Sequence, residues 1–170
     1  MILEQFKVSH AAEAFRLWSD FEAVKFTNWT YTPTLDACSD RVGRVVDHYA
    51  REPLHFGPFI LRESDGRFVG MTGADLVDGP LGIYDVWYII SREEWGRGVA
   101  TRALGELIGR MGGSGRVKKV TADVVAENVH SWRLLERAGF VRDRVVAGGF
   151  QRHESMLDLY KYCYEFDSSH

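Results

Sequence analysis

The run from Gly82 to Leu104, "GIYDVWYIISREEWGRGVATRAL", changes its periodicity midway, and that change limits the folds open to the chain. Its first part is rich in β-branched and aromatic residues, which suit a pleated strand. Its last part is a row of good helix formers. Gly96 and Gly98 stand between the two. A strand fed directly into a helix belongs to an α/β arrangement, in which helices cover a sheet. The residues that follow extend the pattern. "KKVTADVV" reads as a strand and "NVHSWRLLERA" as a helix closed by Gly139. "FVRDRVVA" and "RHESMLDLYKYCYEF" read as the last two strands.

Upstream, "ILEQFKV" reads as a first strand. Ser9 is a candidate N-cap for "HAAEAFRLW", whose Ala11, Ala14, Phe15 and Trp18 fall on one helical face. "FTNWTYTP" follows as an aromatic loop. A second helix runs from Thr34 towards Tyr49, with Val42, Val45 and Val46 inward and Pro53 beyond its end. "HFGPFILRES", a turn at Asp65-Gly66 and "RFVGMTGADLV" form an antiparallel hairpin. The order is one strand, two helices, three strands, helix, strand, helix and two strands. It predicts a mixed α/β sheet with one region of strand–helix–strand winding. No repeat, low-complexity tract or Pro/Ser-rich linker interrupts it, so residues 1–170 are expected to form one domain.

Composition narrows the function classes. The chain has 170 residues, 45% of them hydrophobic and 26% charged, enough for the core of a soluble globule. A net charge of -3 gives no electrostatic reason to expect nucleic acid. No apolar run approaches the roughly 18 residues of a membrane helix, and "MILEQFKVSH" lacks a secretory core. Cys38 and Cys163 are far apart and form no CxxC pair, which argues against a disulfide framework or a zinc site. A cytoplasmic protein without metal, nucleic acid or membrane partners is expected, and a homodimer is compatible with this reading.

The glycines carry the first chemical signal. The opening turn of a helix leaves its amides without partners, and the helix dipole places partial positive charge there. Glycines let a ligand approach those amides with no Cβ in the way. Such a place suits phosphate or pyrophosphate, and Arg97 can add a full charge. A tight strand-to-helix turn accounts for two glycines equally well. Two rival phosphate sites fail on spacing: a dinucleotide fingerprint needs a third glycine where Thr101 stands, and no Gly-Lys-Ser/Thr run exists.

These residues carry a family resemblance. "WGRGVA" resembles the acyl-CoA pyrophosphate loop of the GNAT superfamily of N-acetyltransferases, Gln/Arg-x-x-Gly-x-Gly/Ala, through Trp95, Gly98 and Ala100. Tryptophan at the first position, "ATRA" after the glycines and Tyr88 upstream look like its RimJ/RimL-type branch. "NVHSWRLLERAGF", Asn128 to Phe140, is similar to the family's second signature, Asn-x-x-Ser-x-Arg-x-x-Glu-Lys-x-Gly-Phe. The resemblance spans almost the whole chain. It implies a GNAT-like fold, a central, mostly antiparallel, twisted sheet of about six to seven strands flanked by about four helices.

The resemblance also implies acetyl-CoA as cosubstrate. Amides of Gly96, Arg97, Gly98, Val99, Ala100 and Thr101 would hold its pyrophosphate. Its pantetheine arm would lie along the strand end Tyr88, Ile89 and Ile90, with an amide near Tyr88 or Ile89 directed at the thioester oxygen. Asn128 resembles a pantetheine contact and Ser131 a hydroxyl near the CoA sulfur, although Asn and Ser also serve as ordinary residues of a helix start. The family's usual tyrosine acid would fall at position 135, which is Leu135. Its loss is chemically tolerable, because a thiol of pKa about 8.5 leaves as thiolate without full protonation.

The expected reaction is direct acetyl transfer to a primary amine, a peptide N-terminus or a small amine; a non-catalytic acyl-CoA-binding module is the alternative. The candidate bases are Asp85 on the central strand and Glu154 near the start of the last one, ahead of His153 and His55. An α-amine of pKa about 8 is roughly 10% neutral at pH 7 and a lysine amine well under 1%, so a weak base suits an α-amine better. Trp29 and Tyr31 of the aromatic loop are candidates to wall the acceptor site.

Overall fold

The computed structural model describes residues 1–28, 31–51 and 56–166. Trp29, Pro53 and His55 therefore lie outside the described residues. Strand β1 (Ile2–Gln5) is followed by helices α1 (Ala11–Trp18), α2 (Phe21–Val24) and α3 (Leu35–Tyr49). Three strands come next: β2 (Phe56–Arg62), β3 (Phe68–Asp78) and β4 (Ile83–Ile90). Helix α4 (Val99–Gly113), β5 (Lys119–Val125), α5 (Val129–Arg137), β6 (Val141–Arg152) and β7 (Ser155–Glu165) complete the order. The seven strands form one sheet in the order β1-β2-β3-β4-β5-β7-β6, mixed in direction, as the hydrophobic periodicities predict. No helix of the described residues is long and apolar enough to cross a membrane.

Two compact units make up the chain. The first comprises Met1–Ala74 and Tyr88–Leu107, the second Asp75–Trp87 and Ile108–His170. In the first unit, β1 pairs antiparallel with β2 and β2 with β3, for example Ile60 opposite Met71. The connecting turn contains Gly66 at φ +85°, as the Asp65-Gly66 pair predicts. Trp18, Leu17, Val42, Ile60, Leu61 and Met71 are wholly buried in this unit. Arg62 spans the edge of the sheet, donating to Glu4 at 2.6 Å and to Glu13 at 2.8 Å.

Local chemistry changes the first turns from the sequence expectation. The amide of Lys7 donates to Nδ1 of the buried His10 at 3.0 Å, and Val8–His10 coil into a 3-10 turn. The strand thus stops at Gln5, His10 takes the N-cap position of α1, and Ser9 caps nothing there. The short α2 was not expected. Four residues are too few to show a period, but the Asp20 side chain accepts from the Glu22 amide at 3.1 Å and starts the turn. Helix α3 begins as predicted, with Thr34 Oγ1 accepting from the Ala37 amide.

In the second unit β4 runs parallel to β5, with Tyr84 opposite Val120 and Asp85 opposite Thr121. Val86 and Trp87 continue β4 beyond the last registered pair with β5. β7 pairs antiparallel with both β5 and β6, and the β6–β7 hairpin closes at Arg152 opposite Ser155. Helix α5 is fastened to β7 by polar groups. Tyr162 donates its hydroxyl hydrogen to Glu136 at 2.8 Å, and Arg142 donates to both residues. The Arg142 guanidinium also lies 4.0 Å from the Tyr160 ring centroid, a cation–π contact. Leu135, at the position of the missing tyrosine acid, is a fully buried core residue.

Candidate active site

In the first unit, β4 ends at Ile90 and the chain makes one 3-10 turn, Arg92–Glu94, before the glycines. Trp95 folds its indole back so that Nε1 donates to the Ile90 carbonyl at 2.9 Å. The residue that departs from the common family loop therefore ties the loop to the strand end. Gly96 and Gly98 have φ of +76° and +72°, the left-handed region where a Cβ is strained. A Cβ would meet nothing within 4 Å at Gly96 and only Arg102 Nη1, at 3.8 Å, at Gly98. The space over both glycines is open.

The amides around these glycines are the main feature of the loop. Arg97 N–H donates to Glu94 O at 3.4 Å, and Arg102 N–H to Gly98 O at 3.1 Å. Among the described residues, the amides of Gly96, Gly98, Val99, Ala100 and Thr101 have no hydrogen-bond acceptor. Five unpaired donors at the start of a 15-residue helix form an anion cradle, reinforced by the helix dipole. The donor set fits the pyrophosphate of a CoA thioester, which supplies acceptor oxygens and no donors.

Charged side chains hold the cradle in shape. Glu94, only 6% exposed, receives Arg67 and, at 3.5 Å, Arg97. Arg102 pairs with Glu63 and donates to the Arg97 carbonyl. Glu94 was not singled out in the sequence, where "REEWGRG" looks like a solvated charge run; only its burial distinguishes it. Tyr88, Ile89 and Ile90 end β4 in this unit, the two isoleucines buried.

In the second unit, Asn128 is the N-cap residue of α5 by position, yet its side chain caps nothing. Its carboxamide makes no hydrogen bond among the described residues, so the ordinary structural role of a capping Asn is not in use. Trp132 fixes the helix start instead, donating Nε1 to the Ala126 carbonyl at 3.2 Å. Ser131 lies in the first turn, half-buried.

The two candidate bases differ in environment. Glu154 is exposed beside His153 in the two-residue turn of the β6–β7 hairpin. Asp85 is shielded on β4, and its Oδ1 accepts from Thr121 Oγ1 at 2.6 Å. Burial raises its pKa from 3.8 to about 6; the Thr121 hydrogen bond opposes that rise, Asp123 and Asp75 add to it, and Lys161 opposes it. Lys161 is itself ion-paired with Asp123. Asp85 Oδ2 has no hydrogen bond among the described residues. A carboxyl that titrates near pH 6 and keeps one free oxygen is equipped to accept a proton at neutral pH. Thr121 was missed as a functional residue. Its signal was the alternation of Lys119, Thr121 and Asp123 with Val120, Ala122 and Val124, which sets a polar face on β5. Among the described residues, no group of three His, Cys, Asp or Glu side chains is arranged to hold a metal ion.

Comparison with known proteins gives the family. Residues 1–141 match the model of the acetyltransferase (GNAT) domain. The uncharacterized N-acetyltransferase p20 of Bacillus licheniformis is 24% identical over 95% of this chain and 90% of its own length. Among solved structures, the ribosomal L7/L12 alpha-N-protein acetyltransferase RimL, in complex with coenzyme A, superimposes with a TM-score of 0.86 at 14% identity, over 97% of this chain and 93% of that one. The spermidine N-acetyltransferase of Vibrio cholerae, in complex with CoA and spermine, gives 0.83 at 14% identity over 96% and 94%. Since the family model spans β4, the glycine loop and α5 alike, the chain belongs to the acetyltransferase (GNAT) domain family and is an acetyl-CoA-dependent N-acyltransferase.

Proposed function

We propose that this chain transfers acetyl directly from acetyl-CoA to an α-amine, at a peptide N-terminus or on a small molecule, with Asp85 as the proton acceptor. The amine nitrogen forms a bond to the acetyl carbonyl carbon, the carbon–sulfur bond breaks, the amine proton goes to Asp85, and the thiolate of CoA leaves. The five unpaired amides at Gly96, Gly98, Val99, Ala100 and Thr101 support binding of the pyrophosphate. The free carboxamide of Asn128 supports its assignment as a pantetheine contact, and Tyr88, Ile89 and Ile90 are assigned to the same arm by the resemblance alone.

The observation that carries the reading is the shielded Asp85, with its pKa of about 6. Asp85 takes the proton that the nitrogen releases on attack, so the amine must already be neutral; an α-amine of pKa about 8 is roughly 10% neutral at pH 7, whereas a lysine-like amine is well under 1%. Glu154, exposed in the β6–β7 turn, is the second carboxylate to test. The proteins named above act on both kinds of amine, a ribosomal protein's α-amine for one and spermidine for the other.

An acceptor screen with peptides and small amines, read by CoA release, tests the proposal. With a good α-amine acceptor, kcat/KM should rise with a slope of two in log units below about pH 6, where both Asp85 and the amine must lose a proton. The slope should be one from there to about pH 8 and zero above the amine pKa. Asp85 acts deprotonated, so its contribution is lost as pH falls through about 6. A profile with no break near pH 6, or acetyl-CoA turnover only as slow hydrolysis with every amine, would defeat the reading.

Ser131 is the proposed helper of the leaving thiolate, because Leu135 is buried where a tyrosine acid would stand. Ser131→Ala should lower kcat several-fold, on the scale of one hydrogen bond to a developing charge, with Kd for acetyl-CoA within a few-fold of wild type. Unchanged kcat would leave Ser131 a helix residue and the thiolate to depart unaided.

A further inference from the structure

We propose that Thr121 is the positioning residue of the proton acceptor: its hydroxyl, on β5, holds the Asp85 carboxylate ionised and turned so that Oδ2 alone receives the proton. The inference rests on the assignment of Asp85 above. Its geometry comes from the parallel register, in which Asp85 and Thr121 are directly opposed on neighbouring strands. The Thr121 hydroxyl has two acceptors within reach, Asp85 Oδ1 at 2.6 Å and the Tyr84 carbonyl at 3.4 Å. A hydroxyl has one hydrogen, and the shorter, charged partner takes it while Asp85 is ionised.

When Asp85 receives a proton, the Tyr84 carbonyl offers the hydroxyl an alternative acceptor at the edge of hydrogen-bond distance. With the proton on Oδ2, Oδ1 is a carbonyl oxygen and a weaker acceptor, so the hydroxyl can keep it or turn to Tyr84, and the protonated state forms without a clash between two donors. Threonine suits this role because its β-branched side chain is stiff at χ1 on a strand, and the oxygen stays where the register puts it.

The other groups facing Asp85 do not supply this function. Asp75 on β3 and Asp123 on β5 disfavour its ionised form. Lys161 on β7 favours it but is already paired with Asp123. Cys163, opposite Thr121 on β7, is a free thiol with no hydrogen bond to the carboxylate among the described residues. Among the described residues, Thr121 is therefore the neighbour that favours the ionised form of Asp85 by direct contact. Without that hydroxyl, burial and the two aspartates would act unopposed except for Lys161, and the base would be protonated over more of the neutral range.

The test uses the full chain with Thr121→Val, which keeps the shape and removes the hydroxyl, and Thr121→Ser, which restores it. Two readouts are needed: the Asp85 carboxyl titration by carbon-13 NMR, and the acid break in kcat/KM with an α-amine acceptor. Thr121→Val should move both upward from about 6 by about one pH unit, lowering kcat/KM at pH 6 by roughly fivefold relative to wild type, and Thr121→Ser should bring both back. KM for the acceptor should change less than kcat, since the hydroxyl is assigned no contact with the amine. If the NMR titration of Asp85 is the same in Thr121→Val as in wild type, the inference is overturned whatever the rates do. If the titration moves but the kinetic break stays, Asp85 is not the proton acceptor, and both the base assignment and this inference fall. Unfolding of Thr121→Val would be detected by the loss of dispersed NMR signals, in which case Thr121→Ala provides the same comparison.

Discussion

Asp85→Asn is expected to lower kcat about a hundredfold or more while leaving acetyl-CoA affinity intact, and to make the folded protein more stable at pH 8. The first effect follows from its role: an amide cannot take a proton at this pH, and Thr121 Oγ1 can still donate to its oxygen. The second follows from burial. The folded state raises the pKa from 3.8 to about 6, so it binds this proton more tightly than the unfolded chain does. Stability from this group is therefore fully present below about pH 4, declines as pH rises to about 6, and is gone above that. A shift of this size corresponds to at most about 3 kcal/mol of destabilisation by the ionised wild-type carboxylate at pH 8. Asn carries no charge and escapes it. Urea melts at pH 4 and pH 8 should show the two proteins alike at the lower pH and the variant ahead at the higher. A variant less stable than wild type at pH 8 would contradict the burial argument. Near-normal kcat in both Asp85→Asn and Glu154→Gln would remove direct base catalysis by these carboxylates and leave water as the proton acceptor.

Gly98→Asp should weaken acetyl-CoA binding by at least about tenfold, or 1.4 kcal/mol. The substitution attacks the cradle in three ways. It sets a Cβ on a backbone at φ +72°, in space that is otherwise open. It brings a carboxylate to the five unpaired amides, where it can accept their hydrogen bonds in place of the pyrophosphate. It also repels the ligand's own charge. Aspartate tolerates left-handed backbone better than most residues, so the protein should still fold. Gly98→Ala separates the contributions, having the Cβ and the backbone strain without the charge, and should lose less affinity. Calorimetry that finds wild-type acetyl-CoA affinity in folded Gly98→Asp would remove the pyrophosphate assignment.

What the chain reveals without its fold is local. Gly96 and Gly98 before "VATRAL" predicted a helix start at Val99, and the helix does begin there with its first amides unpaired. That was legible because helix propensity, the missing Cβ and the orphan amides of a first turn all act within a few residues. The strand and helix order was legible for the same reason, through periods of two and about 3.6 that each segment carries in itself. Where competing local bonds were equally near, as with Ser9 and His10, the reading went wrong, since sequence does not rank a capping hydroxyl against an imidazole that the Lys7 amide already uses. The tertiary structure alone decided the environment of the reacting groups. "KKVTADVV" displays a polar face and "GIYDVWYII" carries a single carboxylate, but nothing in either sets Asp85 against Thr121, 36 residues away. Likewise, Glu94 and Glu154 are both carboxylates in charged stretches, yet one is buried under two arginines and the other stands in solvent. A carboxyl's tendency to hold a proton depends on how much water the surrounding strands remove and on which dipoles and charges replace it. Those neighbours come from distant parts of the chain, so the acid–base character of Asp85 exists only once the strands have paired.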